Sequence, residues 1–123
     1  MMVRKTEHYA LPRASFQNDP KVLIVIAPYY KPIADNLLKG ATMEILASNG
    51  TFETVEVPGA LEIATAIGIA ERLEKFDAYV ALGCVIRGET THYETVCNDS
   101  SRGLTLLGLQ GLCIGNGILT VEN

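Results

Sequence analysis

The sequence predicts an α/β fold: a three-layer sandwich with a four-stranded parallel sheet, in the chain order β-α-β-α-β-α-β. From residue 21 onward, strand-like runs alternate with helix-like stretches. The first strand-like run is apolar along its whole length, which is typical of a parallel strand covered on both faces. Strands that alternate with helices are joined by right-handed crossovers into one mainly parallel sheet. The 123 residues suffice for one such domain.

The first strand and helix form a β-α unit. Residues 22–27 are aliphatic and end at Pro28, which predicts a buried strand. Residues 32–47 predict a helix, because Pro32 is tolerated in a first turn and Asn49-Gly50 is a stop signal. Apolar residues recur along it at helical spacing, namely Ile33, Leu37, Ala41 and Ile45.

The rest of the chain continues the alternation. Residues 51–57 predict a second strand, which Pro58-Gly59 ends before an apolar helix over 60–73. A third strand over 78–86, a third helix from 92 to about 107 and a fourth strand over 112–119 follow. No helix follows to cover the fourth strand. We expect a neighbouring subunit, or preferably a natural chain that continues past Asn123, to provide the cover.

Residues 1–20 differ in character from the domain at residues 21–123. They are mixed and polar, with prolines at positions 12 and 20, which predicts an extended N-terminal arm. They contain no apolar stretch of the length that a secretory signal requires, so we expect a cytoplasmic protein.

The composition excludes several functions. The net charge of −4 provides no basic field to bind nucleic acid or an anionic membrane. No apolar run approaches the ~20 residues that span a bilayer. We expect the three cysteines to be reduced, buried thiols, and with only two histidines beside them a His/Cys metal cluster is not expected.

The turn before the third helix combines the signals of an anion site. Thr91 and Glu94 have capping-box spacing, so the helix would begin at His92 with the amides of residues 88–91 near its positive end. Such amides, with the Thr90 hydroxyl, predict a phosphate site. His92 would carry protons beside it. The alternative is a solvent-facing or structural histidine.

The first two strand-to-helix turns also carry candidate ligand groups. Gly59 lets the backbone approach a ligand, and Glu62 has a carboxylate that accepts hydrogen bonds from sugar-like hydroxyls. Glu62 could instead simply interact with the helix dipole. Tyr29 and Tyr30 would stack on a flat heterocycle or only pack at the rim of the sheet.

Three segments resemble the lumazine synthase family. Residues 57–63 are similar to its V-P-G-A-x-E-I turn, residues 82–94 to its G-x-V-I-R-G-x-T-x-H-[FY] stretch, and residues 117–123 to its G-[IV]-[LV]-T-x-E-N segment. The similarity runs from about Lys21 to the last residue. It implies a flavodoxin-like fold and the penultimate step of riboflavin biosynthesis: condensation of a ribitylaminopyrimidinedione with dihydroxybutanone phosphate, without metal or organic cofactor.

The resemblance also implies which residues hold the heterocycle and its ribityl chain. All three turns contribute, and the side chains differ in what they contact. They are Tyr29, which stacks on the pyrimidine; Ala60, Leu61 and Glu62, which contact the ribityl chain and ring; and Val85 and Ile86, which line the heterocycle pocket.

A second set of residues is implied for the phosphate and for proton transfer. Gly88, Glu89 and Thr90 would hold the phosphate, and His92 would shuttle protons. In many family members an aromatic residue from a neighbouring subunit covers the substrate, where this chain has Asn116. We therefore expect no aromatic lid from this position.

The resemblance implies an assembly as well. Family active sites lie between subunits of a pentamer, and in some members twelve pentamers form a 60-subunit shell. The family continues with further helices that carry an Arg and a Lys for the phosphate, so we expect a truncated chain with weaker phosphate binding. Two alternatives are a non-catalytic flavin- or lumazine-binding module and a pentameric assembly scaffold.

Overall fold

The structure, a computed structural model, describes residues 11–88 and 92–122. In these residues four strands form one parallel sheet, with three α-helices. This confirms the predicted α/β sandwich and its flavodoxin-like arrangement. The elements in chain order are β1 (Lys21–Ile26), α1 (Lys31–Ala47), β2 (Thr51–Glu56), a 3-10 turn (Ala60–Glu62), α2 (Ile63–Leu73), β3 (Ala78–Ile86), α3 (His92–Leu109) and β4 (Ile114–Val121).

The predicted strand and helix bounds lie within about three residues of the observed ones, and two of the differences have a clear structural cause. The helix predicted from residue 60 begins as a 3-10 turn, because the Glu62 amide donates to the Gly59 carbonyl oxygen at 3.1 Å. The fourth strand begins two residues later than predicted, because the chain turns after α3 at Gly111, whose φ is +99°. That backbone conformation favours glycine.

The strand order in the sheet is β2-β1-β3-β4, so the chain reverses its direction across the sheet after β2. From β1 the chain crosses to β2 on one side, and from β2 it returns past β1 to β3 on the other side. Val22–Ile26 therefore pair with Ala78–Leu82 on one edge and with Phe52–Glu56 on the other. In such sheets the crevice beyond the carboxyl ends of the two central strands is where ligands bind.

The core is divided between the two faces of the sheet, and β1 contributes to both. Leu23 and Val25 pack with α2 and α3, whereas Val22 and Ile24 pack with α1. All four are nearly or fully buried, as expected for a central strand covered on both faces. β4 is an edge strand, and its Leu119 is 42% exposed.

The end of α1 follows the predicted stop signal. Asn49 has a φ of 62°, in the left-handed region that asparagine tolerates. A Cβ at Gly50 would lie 2.9 Å from the Ile45 Cγ2 atom, so a side chain there would force the helix end to move.

Residues 11–20 contain no helix or strand, and most of them are exposed. An ion pair fastens this segment to α1: Arg13 Nε and Nη2 donate to the two Glu44 carboxylate oxygens at 2.9 and 3.0 Å. The hydrogen bond from Arg13 lowers the pKa of Glu44. The predicted extended arm covers residues 1–20, of which the first ten lie outside the described part of the chain.

The prediction of three buried cysteines is wrong, because none of the three is fully buried. None forms a disulfide; Cys84 and Cys97 are half-buried, and Cys113 is exposed in the segment that precedes β4. Across residues 11–88 and 92–122, no helix has the length and apolar character needed to cross a membrane.

The buried face of α2 gives a stability prediction. Ile63 is fully buried and Ile69, on the same helix, is 52% exposed. We expect Ile63→Ala to lower the free energy of unfolding by about 2–5 kcal/mol, because it leaves a cavity between α2 and the sheet. The matched control Ile69→Ala should change it by less than ~0.5 kcal/mol. Urea denaturation measures both, and equal losses would contradict the assignment of the core.

Candidate active site

A cavity of about 540 Å³ lies at the carboxyl edge of the sheet, at the β1/β3 crevice. It collects residues from all three strand-to-helix turns and from the first turn of α3. The residues that line it are Ala27, Tyr29, Tyr30, Pro58, Gly59, Ala60, Leu61, Glu62, Cys84, Val85, Ile86, Gly88, His92, Tyr93 and Val96.

A second cavity, of about 590 Å³, lies at the opposite edge of the sheet. It is lined by residues 15–18, by the end of α1 and by residues that precede strands, such as Asp77 and Cys113. The two volumes are similar, so they do not indicate which cavity is the ligand site. Their positions do, because parallel α/β sheets bind ligands beyond the carboxyl ends of their strands, and of these two cavities only the first lies there.

The first turn places an aromatic pair at one side of the cavity. The rings of Tyr29 and Tyr30 meet edge to face, with centroids 4.9 Å apart and planes at 85°. The Tyr30 carbonyl oxygen accepts a hydrogen bond from the Ala34 amide at 2.9 Å, which ties this residue to α1. Tyr29 is 76% exposed, so its contact with Tyr30 leaves much of its surface open.

The second turn places a carboxylate beside backbone that has no side chain. A Cβ at Gly59 would lie 3.1 Å from Glu62 Oε1, so glycine lets the Glu62 carboxylate fold back over the turn. Ala60, between them, is buried in the core and fixes the turn to the sheet. The turn therefore places Glu62 at the cavity wall with its side chain exposed.

The third turn brings the end of β3 and the start of α3 to the same cavity. His92 is the first residue of α3, and Val96, one turn later, is buried in the core. Residues four apart share one helix face, so the packing of Val96 aims the side of α3 that carries His92 at the cavity. The imidazole is exposed to solvent there.

Comparison of the sequence with known proteins identifies the family of this chain. The sequence pattern of 6,7-dimethyl-8-ribityllumazine synthase matches residues 19–123. This chain belongs to that family. Curated family members with the same name include those of Jannaschia sp. (strain CCS1), 60% identical over 108 residues, and Sphingopyxis alaskensis, 57% identical over 102 residues.

These lumazine synthases are longer than the part that matches. The similarity to the Jannaschia protein covers 88% of this chain and 61% of that protein. For the Sphingopyxis protein the shares are 83% and 72%. A third relative, from Bartonella tribocorum, is 56% identical over 85% of this chain and 70% of its own length.

Most of the site residues expected from the lumazine synthase resemblance lie together. The structure brings eight of them to the one cavity: Tyr29, Ala60, Leu61, Glu62, Val85, Ile86, Gly88 and His92. Glu89 and Thr90, with Thr91, which was expected to cap α3, lie outside the described residues. Their expected contacts with phosphate stay predictions.

Asn116 is placed elsewhere. It lies on β4 and lines a smaller cavity of about 250 Å³ beside α3, and its Oδ1 accepts a hydrogen bond from the Ile118 amide at 2.9 Å. Within one chain it therefore does not join the other site residues. A substrate contact from Asn116 requires a neighbouring subunit and stays a prediction.

Sequence reasoning missed several lining residues, among them Cys84, Tyr93 and Val96. Cys84 is two residues before Ile86 on β3, and Val96 is four residues after His92 on α3, so strand and helix periodicity could have found both. Tyr93 follows His92 directly and lacks such a signal. Its ring faces the Arg87 guanidinium, with 4.9 Å between the ring centroid and Cζ.

The site contains a thiol of low reactivity. Burial raises the pKa of the Cys84 thiol. A raised pKa keeps the thiol protonated at neutral pH, and a protonated thiol is a poor nucleophile. Among the described residues, no group of three or more His, Cys, Asp or Glu side chains could hold a metal ion.

We predict that iodoacetamide distinguishes Cys84 from Cys113. Cys113 is exposed, so it should be alkylated first near neutral pH, whereas Cys84 should react increasingly as the pH rises above the usual thiol pKa of about 8.5. Peptide mass spectrometry measures both rates, and Cys113→Ser is the control that should leave the Cys84 rate unchanged. Equal rates near neutral pH would contradict a protonated, half-buried Cys84.

Proposed function

We propose that the chain condenses 5-amino-6-ribitylaminopyrimidinedione with dihydroxybutanone phosphate to form dimethyl-ribityllumazine, a transferase reaction of riboflavin biosynthesis. One observation carries the proposal: Tyr29, Glu62 and His92, each from a different strand-to-helix turn, line one cavity. An aromatic ring, a hydrogen-bond acceptor and a proton carrier are the groups that a ribityl-bearing heterocycle and a phosphate ester require.

The heterocycle and its ribityl chain would occupy the part of the cavity between the first two turns. The Tyr29 ring offers a flat surface for the pyrimidine, and the aliphatic side chains of Val85 and Ile86 provide an apolar wall. The Glu62 carboxylate accepts hydrogen bonds from ribityl hydroxyls. Gly59 keeps that carboxylate close to the backbone, because a side chain at this position would crowd it.

The phosphate would lie toward the amino end of α3. This helix has 18 residues, and the aligned dipoles of a helix favour an anion at its amino end. Gly88 lines the cavity just before it. We assign Gly88, Glu89 and Thr90 to the phosphate, through backbone amides and the Thr90 hydroxyl.

His92 would move protons between the reacting atoms. The pyrimidine amine attacks the ketone carbon, and loss of water gives an imine. Removal of a proton next to the imine carbon allows the C–O bond to break, and inorganic phosphate leaves with the bonding electron pair. The enol that remains tautomerises to a ketone, the ribitylamino nitrogen attacks that ketone carbon, and loss of water closes the ring. An imidazole has one nitrogen that accepts a proton and one that donates a proton, so His92 can accept and return the proton at each step.

Holding the two substrates together would provide a larger part of the rate than His92 does. Orienting two reactants in one site lowers the activation free energy by up to ~7–11 kcal/mol. This is a larger effect than the acceleration of about 10²–10⁴-fold that one general acid-base group provides. Loss of the imidazole should therefore slow the reaction and leave it measurable.

The chain would act in the cytoplasm as part of a homopentamer, in which a neighbouring subunit supplies Asn116 to the site. Exposed apolar side chains on α3 and β4, such as Leu109 and Leu119, support an assembly in which they are covered.

The direct test mixes the purified chain with both substrates and follows lumazine absorbance and phosphate release. We expect turnover, with His92→Ala about 10²-fold slower in kcat and His8→Ala, the other histidine, unchanged. Absence of turnover together with tight riboflavin binding would contradict the proposal in favour of a flavin- or lumazine-binding module. Absence of both would favour an assembly scaffold.

A further inference from the structure

Arg87 lies beside the cavity without lining it. The residues before and after it, Ile86 and Gly88, both line the cavity, while the Arg87 side chain points to α3 and the end of β4. Its Nη2 lies 2.7 Å from Glu94 Oε2, and its Nε lies 3.5 Å from Glu122 Oε1. Its guanidinium also covers the Tyr93 ring at 4.9 Å.

The charges around Arg87 argue against a direct role in phosphate binding. Two carboxylates, Glu94 and Glu122, face one guanidinium, so the cluster has no net positive charge to offer an anion. The guanidinium instead pairs with carboxylates of the protein itself.

The contacts of Arg87 join three segments. Tyr93 and Glu94 are the two residues that follow His92 in the first turn of α3, and Glu122 directly follows β4. The Arg87 amide also donates to the Val121 carbonyl oxygen at 2.8 Å, which fixes the Arg87 backbone to β4. One side chain therefore holds the start of α3 against the carboxyl ends of β3 and β4.

We propose that Arg87 is a positioning residue, which sets the place of the His92 imidazole at the cavity by binding the two residues that follow it. This inference rests on the proposed function. Tyr93 carries the effect toward the site, because its ring lies under the guanidinium and also lines the cavity.

A purely structural role would give different results from a positioning role. Arg87 and Glu94 are 44% and 47% exposed, and such ion pairs contribute little to global stability. Loss of Arg87 should therefore leave the chain folded while changing the geometry of one turn.

The test combines Arg87→Gln with His92→Ala. Alone, Arg87→Gln should lower kcat by roughly 10-fold to 100-fold with KM changed less than about threefold, because a misplaced catalytic group costs this much. In the His92→Ala background the same change should lower kcat less than about twofold. An equal loss in both backgrounds would overturn the proposal, as would a raised KM with unchanged kcat.

Arg87→Lys and Arg102→Gln are the matched variants. Lysine keeps the charge but not the planar fork or the stacking on Tyr93, so its kcat should lie between those of Arg87→Gln and the unchanged chain. Arg102 is exposed farther along α3, and its substitution should leave kcat unchanged. Circular dichroism and urea denaturation identify any variant that fails to fold, and Arg87→Lys then decides the question.

A second readout does not need activity. The chain has two histidines, so ¹³C-labelled histidine gives two ring signals. We expect Arg87→Gln and Glu94→Gln to shift the His92 ring signal and to leave that of His8 in place. An unchanged His92 signal would overturn the positioning role. If the unchanged chain shows no turnover, the proposed condensation fails, and this measurement still tests Arg87.

Discussion

The parallel pairing of β1 with β3 at the centre of the sheet is the constraint on which the site depends. This pairing ends with the Ala27 amide donating to the Leu82 carbonyl oxygen at 2.9 Å, and the Val57 amide donates in the same way to Ile26. The carboxyl ends of neighbouring strands therefore lie at one edge. Because the connection reverses there, the following turns diverge and leave a crevice between them. Side chains far apart in the chain meet in this crevice.

Close packing of the helices fixes the third wall of the crevice. A Cβ at Gly103 on α3 would lie 2.8 Å from the Ala64 Cβ on α2, so these helices meet at small residues. Val96 and Leu104 bury the same face of α3 in the core. A helix packed in this way places its first residue, His92, at the cavity. At the same end Arg87 contacts Tyr93, Glu94 and Glu122, and these four residues form the Arg87 cluster. The geometry of the candidate site is thus a consequence of core packing.

Much of the fold was predictable because the signals are local. The aliphatic run of β1, the proline and glycine at residues 58 and 59 and the stop at Asn49 each act within a few residues, and the structure follows them. The 3-10 turn and the late start of β4 depend on single hydrogen bonds and dihedral angles, which periodicity does not encode. Cys113 looked buried in an apolar segment, but its exposure depends on where the strand begins.

The site was predictable to the extent that it follows from the ends of strands. Parallel topology alone brings Tyr29, Glu62 and His92 to one edge. The Arg87 cluster was not predictable, because Glu122 reaches it only through the pairing of β3 with β4. For Asn116 the expected substrate contact involves a second subunit, and a single chain places this residue in another cavity.

We expect the crevice between the ends of β1 and β3 to bind a heterocycle with a ribityl chain. Titration of the ¹⁵N-labelled chain with riboflavin, which carries both parts, measures this binding. The amide signals of Gly59, Ala60 and Gly88 should shift together with one dissociation constant. Shifts confined to Ser48, Asp77 and Cys113, around the cavity at the opposite edge, would contradict it.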